Sequence, residues 1–143
     1  MAQPMISPVA QPVSWDEHHR MGVDPLDREH QALFDCYRQL TDADIPSSDA
    51  AAMGIAALEA HAATHFAHEE AVMIDSRYPY YVHHKRDHEA FLVELHQLKT
   101  SFEAGDDILD ALRRFLKDWL ASHIAIRDRG LAAHLRDLTP AAD

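Results

Sequence analysis

HAATHFAHEEAVMIDSRYPYYVHHKRDH, residues 61–88, decides how the rest of the chain is read. It holds His65 and Glu69 four apart, a break at Tyr78-Pro79, and then His84 and His88, again four apart. On an α-helix, residues four apart project from nearly the same angle, one turn above the other. Two such pairs on neighbouring helices aim four ligand-type side chains into one gap.

The surrounding residues supply the helices. With His65 set at zero and roughly 100° per residue, Glu69 lies at about +40°, Leu58 at about +20° and Val72 at about −20°. His65 and Glu69 therefore sit inside the apolar face of a helix predicted from Ser48-Asp49 to about Asp75. His61 and His68 fall on the flank of that face, at about −40° and −60°. The next helix is predicted from Pro79 to a stop near Gly105. Its inward series is Tyr81, His84, His88, Phe91, Leu95, Leu98 and Phe102, in alternating steps of three and four.

Upstream, Asp24 is predicted as an N-cap with Pro25 in the first helical position. The stripe that follows is Leu26, His30, Leu33, Phe34, Tyr37 and Leu40. Cys36 lies about 120° from His30, which predicts a place away from the core face. Downstream, a helix starting near Asp106 carries Leu109, Leu112, Leu116, Trp119, Leu120 and His123. If it ran on as an α-helix, Asp128 would point about 140° from His123. Either Asp128 faces solvent, or the helix loosens after His123 and brings it back.

The pattern predicts an all-α, up-down-up-down four-helix bundle over residues 15–138, with a short helical segment over 129–138. Residues 1–14 carry Pro4, Pro8 and Pro12 and no charge, and read as a flexible Pro-rich tail. Residues 139–143 read as a C-terminal tail.

Bulk composition excludes several classes. The chain has 143 residues, 47% of them hydrophobic, which suits one globular domain with one core. Its net charge is −11 with only 13 Lys and Arg, so the basic stripe of a nucleic-acid binder is missing. Cys36 is the only cysteine, which leaves neither an intrachain disulfide nor a thiolate cluster. The longest uncharged apolar stretch near mid-chain, AAMGIAAL, is far short of the ~20 residues that span a bilayer. The first basic residue is Arg20, so a secretory leader is not expected and the predicted location is cytoplasmic.

The chain has 12 His, and five of them, His30, His65, His84, His88 and His123, fall on apolar stripes. One inward His is usually a hydrogen-bonded core residue. Five at similar depth beside Glu69 are too many polar rings for a dry core without a common partner. A metal centre meets that need, because neutral imidazole ligates iron, zinc and copper. Five His and one or two carboxylates exceed one tetrahedral zinc shell and suit two six-coordinate ions. The Glu-x-x-His of ferritin-like sites and the His-Glu-x-x-His of zinc proteases do not occur.

The same residues resemble a known family. Trp15, Gly22-Val23, Asp27-x-x-His30, HFAHEEAVM at 65–73, Tyr78-Pro79, His84-x-x-x-His88-x-x-Phe91 and WLASHIAIRD at 119–128 together are similar to the bacterial hemerythrins. The likeness runs from Trp15 to about Leu138. It implies two non-haem irons, one held by His84, His88 and His123 and the other by His30 and His65. Glu69 and Asp128 bridge them beside an oxo or hydroxo group, which implies an inward Asp128. It also implies an open position for dioxygen on the two-His iron, in a pocket lined by Phe66, Trp119, Leu120 and Ile124. Glu29 stands where Gln is common beside the first ligand, and Leu131 where some members have Tyr. Both changes bear on the hydrogen bonds around the ligands.

The expected function is reversible dioxygen binding for carriage, storage, delivery or sensing, without enzymatic turnover. Delivery or sensing requires a protein partner. The alternatives are a di-iron peroxidase or nitric oxide reductase on the same scaffold, or a metal-storage or regulatory module.

Overall fold

A computed structural model of the chain describes residues 15, 16 and 19–138; both predicted tails lie outside the described residues. The elements are α1 (Asp24–Leu40), α2 (Ser47–Asp75), α3 (Tyr81–Glu103), α4 (Leu109–Trp119), a π-helical segment (Leu120–Arg127) and α5 (Asp128–Leu138). No strand occurs among the described residues. Loops of five or six residues join α1 to α2, α2 to α3 and α3 to α4, and such short connections make sequential helices antiparallel neighbours. α2 packs on α1 and α3, and α4 packs on α1 and α2. The result is a four-helix bundle whose fourth member runs without a break from α4 through the π segment into α5.

Helix boundaries follow local chemistry, with three adjustments to the sequence reading. The first concerns α1. Its cap position is Val23, in extended conformation, while Asp24 is already helical and makes no cap hydrogen bond. The anchoring carboxylate is instead Asp27. It is buried and accepts the backbone N–H of Met21 at 2.7 Å and that of Gly22 at 3.2 Å. The second concerns α3, which starts at Tyr81 because Pro79 and Tyr80 are spent in a turn. The third is that α4 starts at Leu109, after Asp106 and Asp107. The predicted stop at Gly105 holds: its φ is +99°, the Gly105 N–H donates to the Phe102 carbonyl, and the Asp106 N–H donates to that of Ser101. That pair of bonds is the Schellman ending, which needs a left-handed residue at this position.

Two apolar clusters fill the bundle. The larger holds Leu33, Leu58, Phe66, Phe91, Leu116, Leu120 and their neighbours. The smaller holds Met21, Leu26, Met73, Leu131 and Ala132. Cys36 belongs to the larger cluster and is buried, contrary to its predicted place off the core face. α1 is flanked by α2 on one side and α4 on the other, so its buried arc is wider than one stripe. Among the described residues no helix is long and apolar enough to cross a membrane.

Candidate metal centre

A polar layer lies between the two apolar clusters. On α1, His30 falls between Leu26 of one cluster and Leu33 of the other. On α2, His65 and Glu69 fall between Ala62 and Met73, and on the fourth member His123 and Asp128 fall between Leu120 and Leu131. Apart from Asp27, the buried polar side chains among the described residues are His30, His65, Glu69, His84, His88, His123 and Asp128. Six of these stand on the apolar stripes read from the sequence, and the seventh, Asp128, is the one the family resemblance turned inward. His61, His68, His83 and His96 are exposed.

Asp128 reaches the layer because the helix changes type. An α-helix would turn it about 140° away from His123. Leu120–Arg127 is π-helical, with hydrogen bonds closing five residues apart, so positions five apart approach one face. His123 Nε2 and Asp128 Oδ1 are then 3.2 Å apart. Of the two alternatives for this segment, the loosened helix is the one observed.

The two carboxylates divide their oxygens. Glu69 Oε1 lies 2.5 Å from His84 Nε2, 3.1 Å from His88 Nε2 and 3.8 Å from His123 Nε2. Glu69 Oε2 lies 3.1 Å from His65 Nε2 and 3.5 Å from His30 Nε2. Asp128 repeats the division, with Oδ1 at 2.9 Å from His84 Nε2 and Oδ2 at 2.9 Å from His30 Nε2. Two groups of donors result: Glu69, His84, His88 and His123, and Glu69, His30, His65 and Asp128. Within each group the ligand atoms lie within 4.8 Å of one another.

These donors crowd without pairing well. His30 Nε2, His65 Nε2, Glu69 Oε2 and both Asp128 oxygens are buried and have no partner in hydrogen-bonding geometry. They are close to one another but aimed at shared points between them. His84 and His123 bring their Nε2 atoms to 3.1 Å. Buried acceptors left in this state are costly, and a cation at each point satisfies them together.

Charge in the metal-free layer follows from the same contacts. Burial disfavours a proton on His30, yet Asp128 and Glu69 outweigh it and raise the ring to about 10. Burial and then the same two carboxylates act on His84, which rises to about 9. His123 is also raised against burial, by Asp128 first. Glu69 and Asp128 are held well below the usual carboxylate range by the imidazoles, although burial works against them.

Outside the layer, three further carboxylates meet imidazole Nδ1 atoms. Glu29 Oε1 lies 2.9 Å from His65 Nδ1, Glu70 Oε2 lies 3.0 Å from His88 Nδ1, and Asp87 Oδ2 lies 3.7 Å from His123 Nδ1. Each is adjacent in sequence to a layer residue and faces a ring on the next member of the bundle: α1 to α2, α2 to α3, and α3 to the π segment of the fourth member. Glu29 and Glu70 are within hydrogen-bonding distance, and such partners orient a ligating imidazole and raise its basicity. Asp87 lies beyond that distance, and His123 Nδ1 has no hydrogen-bond partner. Sequence reading noted Glu29 only as a departure and missed Glu70 and Asp87. The available signal was an acidic residue directly beside a stripe position.

Aromatic rings cover the layer on one side. Phe66 stacks on His88 with centroids 4.0 Å apart and planes 7° apart, and Trp119 stacks on His123 at 4.5 Å and 12°. Leu120 and Ile124 are buried in the same cluster. A groove of about 300 Å³ between α3 and the fourth member reaches Trp119 and His123.

The family model described as "Hemerythrin HHE cation binding domain" matches residues 21–135. The chain belongs to the hemerythrin family. It is 33% identical over 124 residues to a bacteriohemerythrin of Stenotrophomonas maltophilia, covering 85% of this chain and 80% of that protein. It is 36% identical over 120 residues to myohemerythrin-1 of Phascolopsis gouldii, covering 84% and 92%. Against a myohemerythrin of Riftia pachyptila the figures are 34% over 116 residues, 81% and 88%. Hemerythrins bind dioxygen at a di-iron centre, and the donors of this hemerythrin fold fit that cofactor.

Proposed function

We propose that this chain is a di-iron protein that binds dioxygen reversibly, for carriage, storage, delivery to a partner or sensing. In this reading His84, His88 and His123 hold one iron, His30 and His65 hold the other, and Glu69 and Asp128 join them. The hemerythrin domain spans residues 15–138, and the protein works in the cytoplasm. The observation that carries the reading is the division of each carboxylate's two oxygens between the three-His group and the two-His group.

Ligand arithmetic makes the two positions unequal. Three imidazoles and one oxygen from each carboxylate give five donors, and two imidazoles with the other two oxygens give four. When bound, a reduced iron pair supplies an open coordination position and two electrons to dioxygen. The chain's own contribution is enclosure. Phe66, Trp119, Leu120 and Ile124 form an apolar wall on the layer. A wall of this kind keeps out the water and protons that would drive loss of reduced oxygen. The outer carboxylates keep Nε2 of His65 and His88 facing inward.

Optical spectra of the reduced, iron-loaded protein test the reading. Charge-transfer bands should appear on admitting air, fade on degassing and return over several cycles. Irreversible oxidation in the first cycle, with turnover of added peroxide, supports the oxidoreductase alternative and overturns this one.

A further inference from the structure

We propose that Glu29 is a positioning residue for His65, and that the exposed His68 holds Glu29 in place. The proposal rests on the di-iron reading of the layer and adds two residues to its support. Glu29 uses its two oxygens on two rings of α2: Oε1 lies 2.9 Å from His65 Nδ1, and Oε2 lies 2.5 Å from His68 Nδ1. His65 is fully buried, Glu29 is 21% exposed and His68 is 54% exposed. The three residues thus form a continuous hydrogen-bonded path from solvent to the layer.

The arrangement has a directional consequence. An imidazole can flip its ring, and the outer contact decides which nitrogen faces the layer. With Nδ1–H donated to Glu29, Nε2 is left to face Glu69 Oε2 at 3.1 Å. A glutamate at the bundle surface has three freely rotating bonds, and one contact alone competes with water for its carboxylate. The second contact, from a ring one turn further along α2, removes that freedom. His68 therefore acts through Glu29 and His65 although it lies off the apolar face. The two-His group has the fewest donors, so a misdirected ring matters more there than in the three-His group.

The test uses the full chain in the metal-free and the Co(II)-loaded state, with Glu29→Ala, Glu29→Gln and His68→Ala. In metal-free wild type, nitrogen-15 NMR should find a slowly exchanging proton on His65 Nδ1. Glu29→Ala should lose that protection and bind one of two Co(II) ions about 10–100-fold more weakly, the usual effect of removing such a partner. Glu29→Gln keeps an oxygen that can accept from Nδ1–H and should retain both the protected proton and the affinity. His68→Ala should keep the proton but exchange it faster, with a smaller loss of affinity. Unchanged exchange and affinity in Glu29→Ala overturn the proposal, and so does an equal loss in Glu29→Gln and Glu29→Ala. If Glu29→Ala fails to fold, His68→Ala decides: exchange of the His65 Nδ1 proton as slow as in wild type overturns the proposal. Wild type that binds no second Co(II) overturns the di-metal reading instead, and the metal-free exchange data still judge the Glu29 contact.

Discussion

Loading the metal-free protein at pH 7 should release about two protons per chain from His30 and His84. Both rings present Nε2 to the layer within 2.9 Å of an Asp128 oxygen. Without metal, His30 keeps its proton up to about pH 10 and His84 up to about pH 9. A nitrogen must lose its proton to become a ligand. Two ordinary imidazoles with pKa near 6.5 are each about one quarter charged at pH 7 and would release about half a proton between them. Two raised to about 10 and 9 are almost fully charged there, and at pH 9.5 they still carry about one proton together. His123, raised as well, adds to the total at neutral pH. Anaerobic calorimetry of Co(II) binding, run in buffers of different ionisation enthalpy, counts these protons. Release should fall by about one proton or more between pH 7 and 9.5. A release near half a proton at pH 7, or one that does not change with pH, would show that Glu69 and Asp128 do not hold protons on His30 and His84 before metal binds.

Metal removal should lower the melting temperature, because metal binds the folded state alone. The metal-free form should itself be most stable between about pH 5 and 6.5. The contribution of His30 and His84 is full below their unfolded value and is lost as pH rises through about 9 and 10. That of Glu69 and Asp128 is present above the ordinary carboxylate range and is lost as pH falls below it. Melting curves of metal-free protein that are flat or rising from pH 6.5 to 10 would contradict this. His65→Ala should leave His30 and the shared carboxylates alone on its side and tend toward one iron per chain. His88→Ala should retain more iron with faster oxidation, and exposed His61→Ala should keep both irons; iron content and air-oxidation rate separate the three. In Gly54→Ala the new Cβ falls 2.5 Å from Leu40 Cδ2 and 3.3 Å from Leu112 Cδ2, both side chains fully buried. Overpacking of about 1–3 kcal/mol outweighs roughly 1 kcal/mol of helix propensity, so denaturant unfolding should show a net loss of about 1 kcal/mol; a more stable variant would contradict the packing.

Periodicity made most of the layer readable. His65, Glu69, His84 and His88 lie on long regular helices where four residues mean one face, so their inward direction follows from spacing alone. Asp128 does not, because a π segment breaks the α period, and only the resemblance turned it inward before the structure did. Cys36 was misplaced because a single stripe assumes one packing neighbour, while α1 has two. Taking His30 as zero, the buried positions of α1 run from Asp27 at about +60° to Cys36 at about −120°. Glu70 and Asp87 were invisible for another reason. Their partners sit on a different element, and which ring meets which carboxylate depends on helix adjacency. The start of α1 was read one residue late in function: Asp24 has the residue type of a cap, but Asp27 holds the turn, through a contact with Met21 six residues back.

In the proposed function Glu69 and Asp128 each serve two metal ions at once. Native mass spectrometry of the folded, iron-loaded chain tests it most directly. Two irons per chain is the predicted result, with few molecules carrying one, since each shared carboxylate favours filling both positions. A single iron per chain at saturation, or zinc as the resident metal after production with ample iron, would contradict it.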